Sequence, residues 1–219
     1  MVKIDLKKRI VVVGHYGSGK TEFALNLAFK LKETGEKVTI VDLDIVNPYF
    51  RTKDAEKELT EAGLEIIAPV YANTNVDVPA LPPNIYAAFE KEGYVIFDVG
   101  GDDDGATVLG RFKPQFDATE YDMFGVVNTK RPLTTTKEEI VESLSAIERV
   151  SRLKFTGIIN NTNISVETTP EIVNSGTEIC TDAAKEMGTS LKLVSALSEM
   201  ADEIYADEVF PIKIRLKKW

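Results

Sequence analysis

An octapeptide near the N-terminus has residue types and a spacing that suit the binding of a polyphosphate. Residues 14–21 read Gly-His-Tyr-Gly-Ser-Gly-Lys-Thr and fit the pattern G-x-x-x-x-G-K-[ST]. In such a loop, consecutive backbone N–H groups and the positive end of the following helix point at one anion. We expect Lys20 to reach the β- and γ-phosphates of a nucleotide and the Thr21 hydroxyl to hold Mg²⁺.

An aspartate at the end of an apolar segment is a second candidate for the same site. Asp98 follows the apolar residues 95–97, and Gly101 stands three positions after it. In phosphate-loop proteins an aspartate at this place holds Mg²⁺, usually through a water, and the glycine lets a backbone N–H approach the γ-phosphate. The alternative is an aspartate that only caps a helix after the strand.

Two further carboxylates follow another apolar segment. Asp42 and Asp44 are separated by Leu43, so on a strand both side chains project from one face. We assign Asp42 to the outer shell of the metal and Asp44 to the attacking water or a second substrate, although these two roles could be exchanged.

The elements that must position these residues alternate between strand-like and helix-like patterns. The strand-like segments are 10–13, 38–42, 65–68, 94–98, 123–127, 156–160 and 191–194. The helix-like segments are 20–34, 52–62, 84–91, 135–151, 171–187 and 197–206. This order predicts an α/β fold with a doubly wound, mostly parallel sheet of seven strands or so and helices on both faces. Ligands of such sheets bind at the carboxyl ends of the strands.

The composition agrees with a single domain over residues 1–219. The chain is long enough for one sizeable core, and no linker or repeat divides it. The net charge of −9 argues against a general nucleic-acid surface. Cys180 is the only cysteine, and neither a secretory signal nor an apolar run of the roughly 20 residues that cross a bilayer is visible. We therefore expect a cytoplasmic protein that binds neither nucleic acid nor membranes.

Together these motifs resemble the P-loop NTPases of the MinD/ParA/CobQ/CobB-like (SIMIBI) group, which includes dethiobiotin synthetase and the nitrogenase iron protein. The likeness rests on residues 14–21, on Asp42 and Asp44, on 98–101 and on 157–161. It implies the P-loop NTPase fold and the binding of ATP with Mg²⁺, often across a nucleotide-sandwich dimer.

The resemblance also implies a contact with the base. Asn160 looks like the residue that reads the N6/N1 edge of adenine, with a buried turn-forming asparagine as an equal alternative; Asn161 or Asn163 could take the role instead. The expected nucleotide contacts are therefore Gly14, His15, Tyr16, Gly17, Ser18, Gly19, Lys20, Thr21, Glu22, Gly101 and Asn160.

The residue at position 15 bears on catalysis, and the segment 128–131 bears on the choice of base. MinD/ParA-type members carry a second lysine directly after the first glycine, where this chain has His15, which is shorter and mostly neutral at pH 7. Arg51 and Arg131 are candidate substitutes, each with a structural or surface role as the alternative. Residues 128–131 read Asn-Thr-Lys-Arg and break the Asn-Lys-x-Asp pattern of GTP readers, so ATP is favoured.

Three other segments have competing interpretations. The three aspartates at 102–104 fit a solvated turn and helix start better than a cation site. The tail 211–219 alternates apolar and basic residues with a period of two, which favours an edge strand over a membrane-binding helix. Residues 47–50 could contact a partner or pack into the core.

The resulting hypothesis is an Mg²⁺-ATP-dependent switch with slow hydrolysis, in which Lys20 and Asp44 act in catalysis. The nucleotide state would control association with a protein partner or with a second copy of the chain. The alternative is an enzyme that uses ATP to activate a small-molecule acceptor, as in dethiobiotin synthetase or cobyrinate amidating enzymes, with 73–84 and 128–136 lining the acceptor pocket. A third hypothesis is a nucleotide-bound structural module that barely turns over.

Overall fold

A parallel sheet forms the centre of the computed structural model, which describes residues 5–44, 59–67, 83–101 and 103–215. The strands are β1 (Arg9–Val13), β2 (Val38–Leu43), β3 (Glu65–Ile67), β4 (Tyr94–Val99), β5 (Tyr121–Val127), β6 (Gly157–Asn160), β7 (Leu191–Leu197) and β8 (Val209–Ile212). Their order across the sheet is β3-β2-β4-β1-β5-β6-β7-β8, and all neighbouring pairs are parallel. The predicted α/β fold is confirmed, with eight strands instead of about seven.

Six α-helices with both ends in the described ranges cover the two faces of this sheet. They are α1 (Lys20–Glu33), α2 (Pro83–Ala87), α3 (Asp103–Arg111), α4 (Lys113–Asp117), α5 (Lys137–Ser151) and α6 (Pro170–Glu186). Short 3₁₀ turns lie at Ala88–Glu90, Ser165–Glu167 and Ala201–Glu203. Among the described residues, no helix is long and apolar enough to cross a membrane.

The central strand β1 is buried on both faces because its side chains alternate between two cores. Ile10 and Val12 pack in the core that contains α1, whereas Val11 and Val13 pack in the core built with α2 to α6. A strand that is fixed from both sides leaves little freedom to the loop that follows it.

The register of the sheet brings the candidate carboxylates to the start of that loop. Asp42 on β2 lies opposite Asp98 on β4, and Val13 at the end of β1 lies opposite Val99 on β4. The carboxyl ends of β1, β2 and β4 therefore meet at one edge, which is where a doubly wound sheet binds its ligands.

The loop 128–134 after β5 is held from both ends. A capping box starts α5: the Thr136 hydroxyl accepts a hydrogen bond from the Glu139 N–H, and the Glu139 carboxylate accepts one from the Thr136 N–H, both at 3.3 Å. At the other end, Asn128 donates from Nδ2 to the carbonyl of Asn163 at 3.0 Å. The loop is thereby fixed beside the segment that follows β6.

The structure differs from the predicted elements mainly near the end of the chain. Residues 197–206, predicted as a helix, contain the end of β7 and only the 3₁₀ turn at Ala201–Glu203. Of the edge strand predicted over 211–219, Pro211 and Ile212 belong to β8, which begins at Val209, and 213–215 have no regular structure; residues 216–219 lie outside the described residues. The alternation of apolar and basic residues continues beyond Ile212, but the pairing of β8 with β7 ends there, at Leu197 and Ile212. The alternation alone therefore placed the strand too late in the chain.

Helices α3 and α4 were absent from the predicted set, although α3 begins at Asp103, as the acidic helix start predicted. Residues 59–61 are helical, while the rest of the predicted helix 52–62 up to residue 58 lies outside the described residues. The predictions for Arg51, for 47–50 and for 73–82 also fall outside them.

Candidate functional site

The loop between β1 and α1 has a shape that only glycine permits at its key positions. Gly17 and Gly19 have φ angles of 77° and 85°, in the left-handed region. A Cβ on Gly14 would overlap the carbonyl oxygen of Val126 on the neighbouring strand β5. Residues 14–19 therefore form a tight turn that leads directly into the N-terminus of α1, as the sequence motif predicts.

Two side chains from distant parts of the chain hold this loop. Asn161 donates from Nδ2 to the Ser18 carbonyl at 2.7 Å, and its Oδ1 accepts a hydrogen bond from the Ser195 hydroxyl at 2.6 Å. Arg131 donates from Nε to the Gly17 carbonyl at 3.2 Å. The loop is thus anchored by side chains of the protein itself, and the anchoring role of Asn161 was missed from the sequence.

On the opposite side of the loop lies Asp98, which is only 2% exposed. Its Oδ1 has no hydrogen-bond partner among the residues that the structure describes, and the Thr21 side chain forms a hydrogen bond with the carboxyl group. Burial raises the pKa of Asp98 to about 7, an effect that the charge of Lys20 opposes and the charge of Asp42 reinforces. A buried carboxylate oxygen without a partner is suited to a cation or to a water bound to one.

Lys20 and Asp44 form an ion pair at the same place. Lys20 Nζ lies 3.0 Å from Asp44 Oδ2, and both side chains are 10% exposed. The N–H of Asp44 donates to Asp42 Oδ1 at 3.1 Å. The structure thus gathers Lys20, Thr21, Asp42, Asp44 and Asp98 at the end of the sheet.

Gly101 touches the first residue of the loop. A Cβ at this position would overlap the carbonyl group of Gly14, so a larger residue would push the two segments apart. This contact places the backbone after β4 against the loop 14–19.

The residues present fit Mg²⁺ in the way that nucleotide sites usually hold it. Within the described ranges, no three His, Cys, Asp or Glu side chains form a metal-binding group. Mg²⁺ seldom needs one, because it commonly binds through one or two carboxylates, waters and the phosphates of its ligand. Thr21 and the unpartnered oxygen of Asp98 are groups of this kind.

The predicted contact between Asn160 and adenine is corrected by the structure. Asn160 is fully buried; its Nδ2 donates to the Val173 carbonyl at 3.0 Å and to the Thr177 hydroxyl at 3.1 Å. Its Oδ1 accepts a hydrogen bond from the Thr162 N–H at 3.0 Å. The Nδ2 end of the amide joins β6 to α6 and the Oδ1 end holds the turn after β6, so Asn160 has the structural role that was its alternative.

A cavity of about 590 Å³ opens beside Gly19 on the side of the loop away from Asp98 and is the candidate place for a base and ribose. The ends of β6 and β7, the start of α1 and the residues after β8 surround it. Its walls include Gly19, Glu22, Asn161, Asn163, Ser165, Val166, Ser198, Glu199, Met200, Ile212, Lys213 and Ile214.

His15 is partly exposed, and Tyr16 is 63% exposed at the outer side of the loop. Leu133, in the loop that carries Arg131, is 61% exposed and has a φ of 65°, which is rare for a residue with a branched side chain. Two exposed residues with large side chains therefore lie in this part of the chain, Tyr16 in the loop itself and Leu133 two residues after Arg131, which contacts the loop.

Cys180 is remote from this chemistry. It is fully buried in α6, and burial raises the pKa of its thiol to about 12. A thiol in this state is inert as a nucleophile and as a metal ligand.

Comparisons with solved structures agree with the fold. The structure is similar to a nucleotide-binding protein of Archaeoglobus fulgidus in complex with ADP, with a TM-score of 0.56, 15% identity and coverage of 96% of this chain and 84% of that one. It is also similar to chloroplast FtsY of Physcomitrella patens (TM-score 0.57, 18% identity, 89% and 60% of the two chains). The signal recognition particle 54 kDa protein of Aeropyrum pernix, solved with GDP, has a TM-score of 0.55 at 19% identity, with 87% and 41% covered.

These similarities are in fold, and the chain spans only 60% of the length of the Physcomitrella protein. No curated protein matches the sequence. The model of the CobQ/CobB/MinD/ParA nucleotide-binding domain matches residues 10–203, which include the loop, the carboxylates and every wall of the cavity except residues 212–214. The chain therefore belongs to the CobQ/CobB/MinD/ParA nucleotide-binding domain family of SIMIBI P-loop proteins.

Proposed function

We propose that the chain binds Mg²⁺-ATP at residues 14–21 and hydrolyses it slowly, and that the nucleotide state controls its association with a protein partner. The observation that carries this proposal is the meeting of Lys20 with Asp44 and Asp98 beside an anchored phosphate-binding loop. A lysine, a hydroxyl and buried carboxylates in this arrangement are what the binding and cleavage of a triphosphate with a metal require.

In the proposed site, the backbone N–H groups of 14–21 and the N-terminus of α1 bind the phosphates. Thr21, Asp42 and Asp98 would hold Mg²⁺, which would supply positive charge to the phosphate oxygens. Lys20 would exchange its pairing with Asp44 for the β- and γ-phosphates. Asp44 would then orient the attacking water.

A partner would sense this change at the surface formed by Tyr16, Arg131 and Leu133. Arg131 bonds directly to the loop through the Gly17 carbonyl, and the two apolar side chains are exposed next to it. Exposed apolar residues beside a ligand site are common in protein–protein contacts. A second copy of the chain is one partner that this surface would accept, as in a nucleotide-dependent homodimer.

The proposal of ATP instead of GTP rests on the sequence of residues 128–131, so the affinities for the two nucleotides must be compared directly. The Archaeoglobus protein was solved with ADP and the Aeropyrum protein with GDP, so this fold holds either base. The test is a titration of the protein with Mg²⁺-ATP and with Mg²⁺-GTP, followed by fluorescence and by thermal unfolding. At about a thousandfold over the dissociation constant, bound nucleotide should add about 4 kcal/mol to the free energy of unfolding.

Lys20→Ala should abolish most of this gain, because the ammonium group that meets the phosphates is lost. The matched control is Lys30→Ala, which removes an exposed lysine from the same helix that pairs only at the surface with Glu33. An unchanged gain in Lys20→Ala would contradict the site. A larger stabilisation by GTP than by ATP would show that guanine is the preferred base. An elution volume that is the same with and without nucleotide would argue against a nucleotide-dependent homodimer.

A further inference from the structure

The segment that follows β8 packs against the helix that begins at the phosphate-binding loop. We call residues 213–215 the strap. Asn26 on α1 donates from Nδ2 to the Lys213 carbonyl and accepts a hydrogen bond at Oδ1 from the Lys213 N–H, both at 2.9 Å. This reciprocal pair joins residues that are 187 positions apart in the chain.

Glu22 fastens the other end of the strap. Its Oε1 accepts a hydrogen bond from the Arg215 N–H at 2.7 Å and a weaker one from Asn26 Nδ2 at 3.2 Å. The guanidinium carbon of Arg215 lies 3.4 Å from the centre of the Phe29 ring, also on α1. Glu22 follows Thr21 directly, so the strap is tied to the first turn after the loop.

The strap is also a wall of the cavity beside Gly19. Lys213 and Ile214 line this cavity, as does Glu22 itself, and Ile214 is 51% exposed. The neighbouring wall is joined to the same segment, since the N–H and the hydroxyl of Ser198 both donate to the Ile212 carbonyl at 3.1 Å. Nothing in these contacts reaches the side of the loop where Lys20 meets Asp44.

We infer that Glu22 and Asn26 are positioning residues that set how tightly the nucleoside part of the nucleotide is retained, by holding the strap as a wall of its cavity. This inference rests on the proposed function. It separates two contributions to affinity: the loop 14–21 binds the phosphates, whereas the strap acts only on the base and ribose.

Inorganic tripolyphosphate distinguishes the two contributions, because it has the phosphates of ATP without the nucleoside. In Asn26→Ala, which removes both hydrogen bonds to Lys213, the dissociation constant and the dissociation rate of ATP should rise about tenfold, while the affinity for tripolyphosphate should stay within about twofold. Glu22→Ala should act in the same direction, and Glu22→Gln, which keeps an oxygen for the Arg215 N–H, should restore most of the affinity.

Asn174→Ala is the matched control. Asn174 on α6 forms the same kind of pair, donating to the Glu203 carbonyl at 3.3 Å and accepting from the Tyr205 N–H at 2.9 Å, but its partners do not line the cavity. Its loss should leave ATP binding within about twofold of the wild type. An equal loss of ATP affinity in both asparagine variants would overturn the inference, as would an equal loss of ATP and tripolyphosphate in Asn26→Ala.

A measurement on the unaltered protein covers the case of a variant that fails to fold. Hydrogen exchange at the amides of Lys213 and Arg215 should slow when ATP binds and should not respond to tripolyphosphate. Equal slowing with both ligands would contradict the inference. A wild-type protein that binds neither ligand would instead refute the proposed function, and the inference with it.

Discussion

The two halves of the candidate site are built differently. The phosphate side consists of backbone turns at glycine and of charged groups buried at the ends of β1, β2 and β4. The proposed nucleoside side is a cavity whose walls come from four separate parts of the chain, including the exposed side chains of Val166 and Ile214. Substitutions on the phosphate side should disturb the fold, whereas on the nucleoside side one wall of the cavity can be substituted without disturbing the others.

This difference has a physical cause. On the phosphate side, backbone atoms approach each other so closely that no side chain fits between Gly14 and Gly101. On the nucleoside side, the walls are held by a few hydrogen bonds, such as the two between Asn26 and Lys213. Each of these is worth about 1 kcal/mol. The phosphate side should therefore decide whether a ligand binds, and the nucleoside side should decide which one and for how long.

The largest effect is expected from Gly101→Ala. The added methyl group would overlap the Gly14 carbonyl, so the loop must move and both ATP and tripolyphosphate should lose at least about a hundredfold in affinity. Isothermal titration with both ligands measures this. Gly188→Asn is the control, because a Cβ there meets nothing within 4 Å and asparagine tolerates its φ of 70°. Retained tripolyphosphate binding in Gly101→Ala would break the distinction between the two halves.

Asp44→Asn should separate turnover from binding within the phosphate side. The amide keeps the size of the side chain but cannot accept a proton from water, so hydrolysis should fall on the order of a hundredfold. The affinity for ATP should not decrease, because Lys20 loses its anionic competitor. Phosphate release and nucleotide titration give the two quantities. Undiminished turnover would remove Asp44 from the proposed chemistry.

The prediction with the smallest change per step concerns the stability of the ligand-free protein, which should change by at most about tenfold in the unfolding equilibrium for each pH unit. The folded pKa of Asp98, about 7, lies above its ordinary value of 3.8, so between these values the folded state holds a proton that the unfolded state has released. The free energy of unfolding should consequently fall as the pH rises through this window, by up to about 1.4 kcal/mol per pH unit, and level off above pH 7. Burial of Asp98 is the largest cause of this raised pKa, and the charges of Lys20 and Asp42 act on it in opposite directions.

Urea unfolding of the metal-free protein between pH 4 and 8, compared with Asp98→Asn, isolates this contribution. The variant should lack the part of the slope that Asp98 causes and should be the more stable protein near pH 7. Parallel curves for the two proteins would show that the Asp98 carboxyl is ionised across the whole range and would contradict the assigned environment.

Much of the phosphate side was predictable because its determinants are local. The spacing of residues 14–21 implies both the turn and the helix that follows, and Asp42 and Asp98 each end an apolar strand. Parallel pairing then places such strand ends together whatever the rest of the chain does. The spacing from Asp98 also led to the prediction that Gly101 contacts the nucleotide, whereas its close approach to Gly14 was seen only in the structure.

The nucleoside side was predicted poorly for the opposite reason. Asn160 and Asn161 are neighbours with the same side chain, but the strand β6 turns one toward α6 and the other toward the loop. The alternation of side chains along an extended segment predicts that Asn160 and Asn161 point in opposite directions. It does not predict which of them points toward the loop. The strap was missed as well, since its pairing with Asn26 depends on where β8 joins the sheet.

From the sequence by itself, it was determined that this protein is a parallel α/β domain with a phosphate-binding loop and acidic residues at the adjoining strand ends. Local backbone geometry and the burial of apolar strands are enough for that conclusion. Only the tertiary structure decided that Lys20 pairs with Asp44, that Asn161 anchors the loop, and that the strap walls the cavity. These contacts join residues far apart along the chain, and only the packing of the two cores brings such residues together.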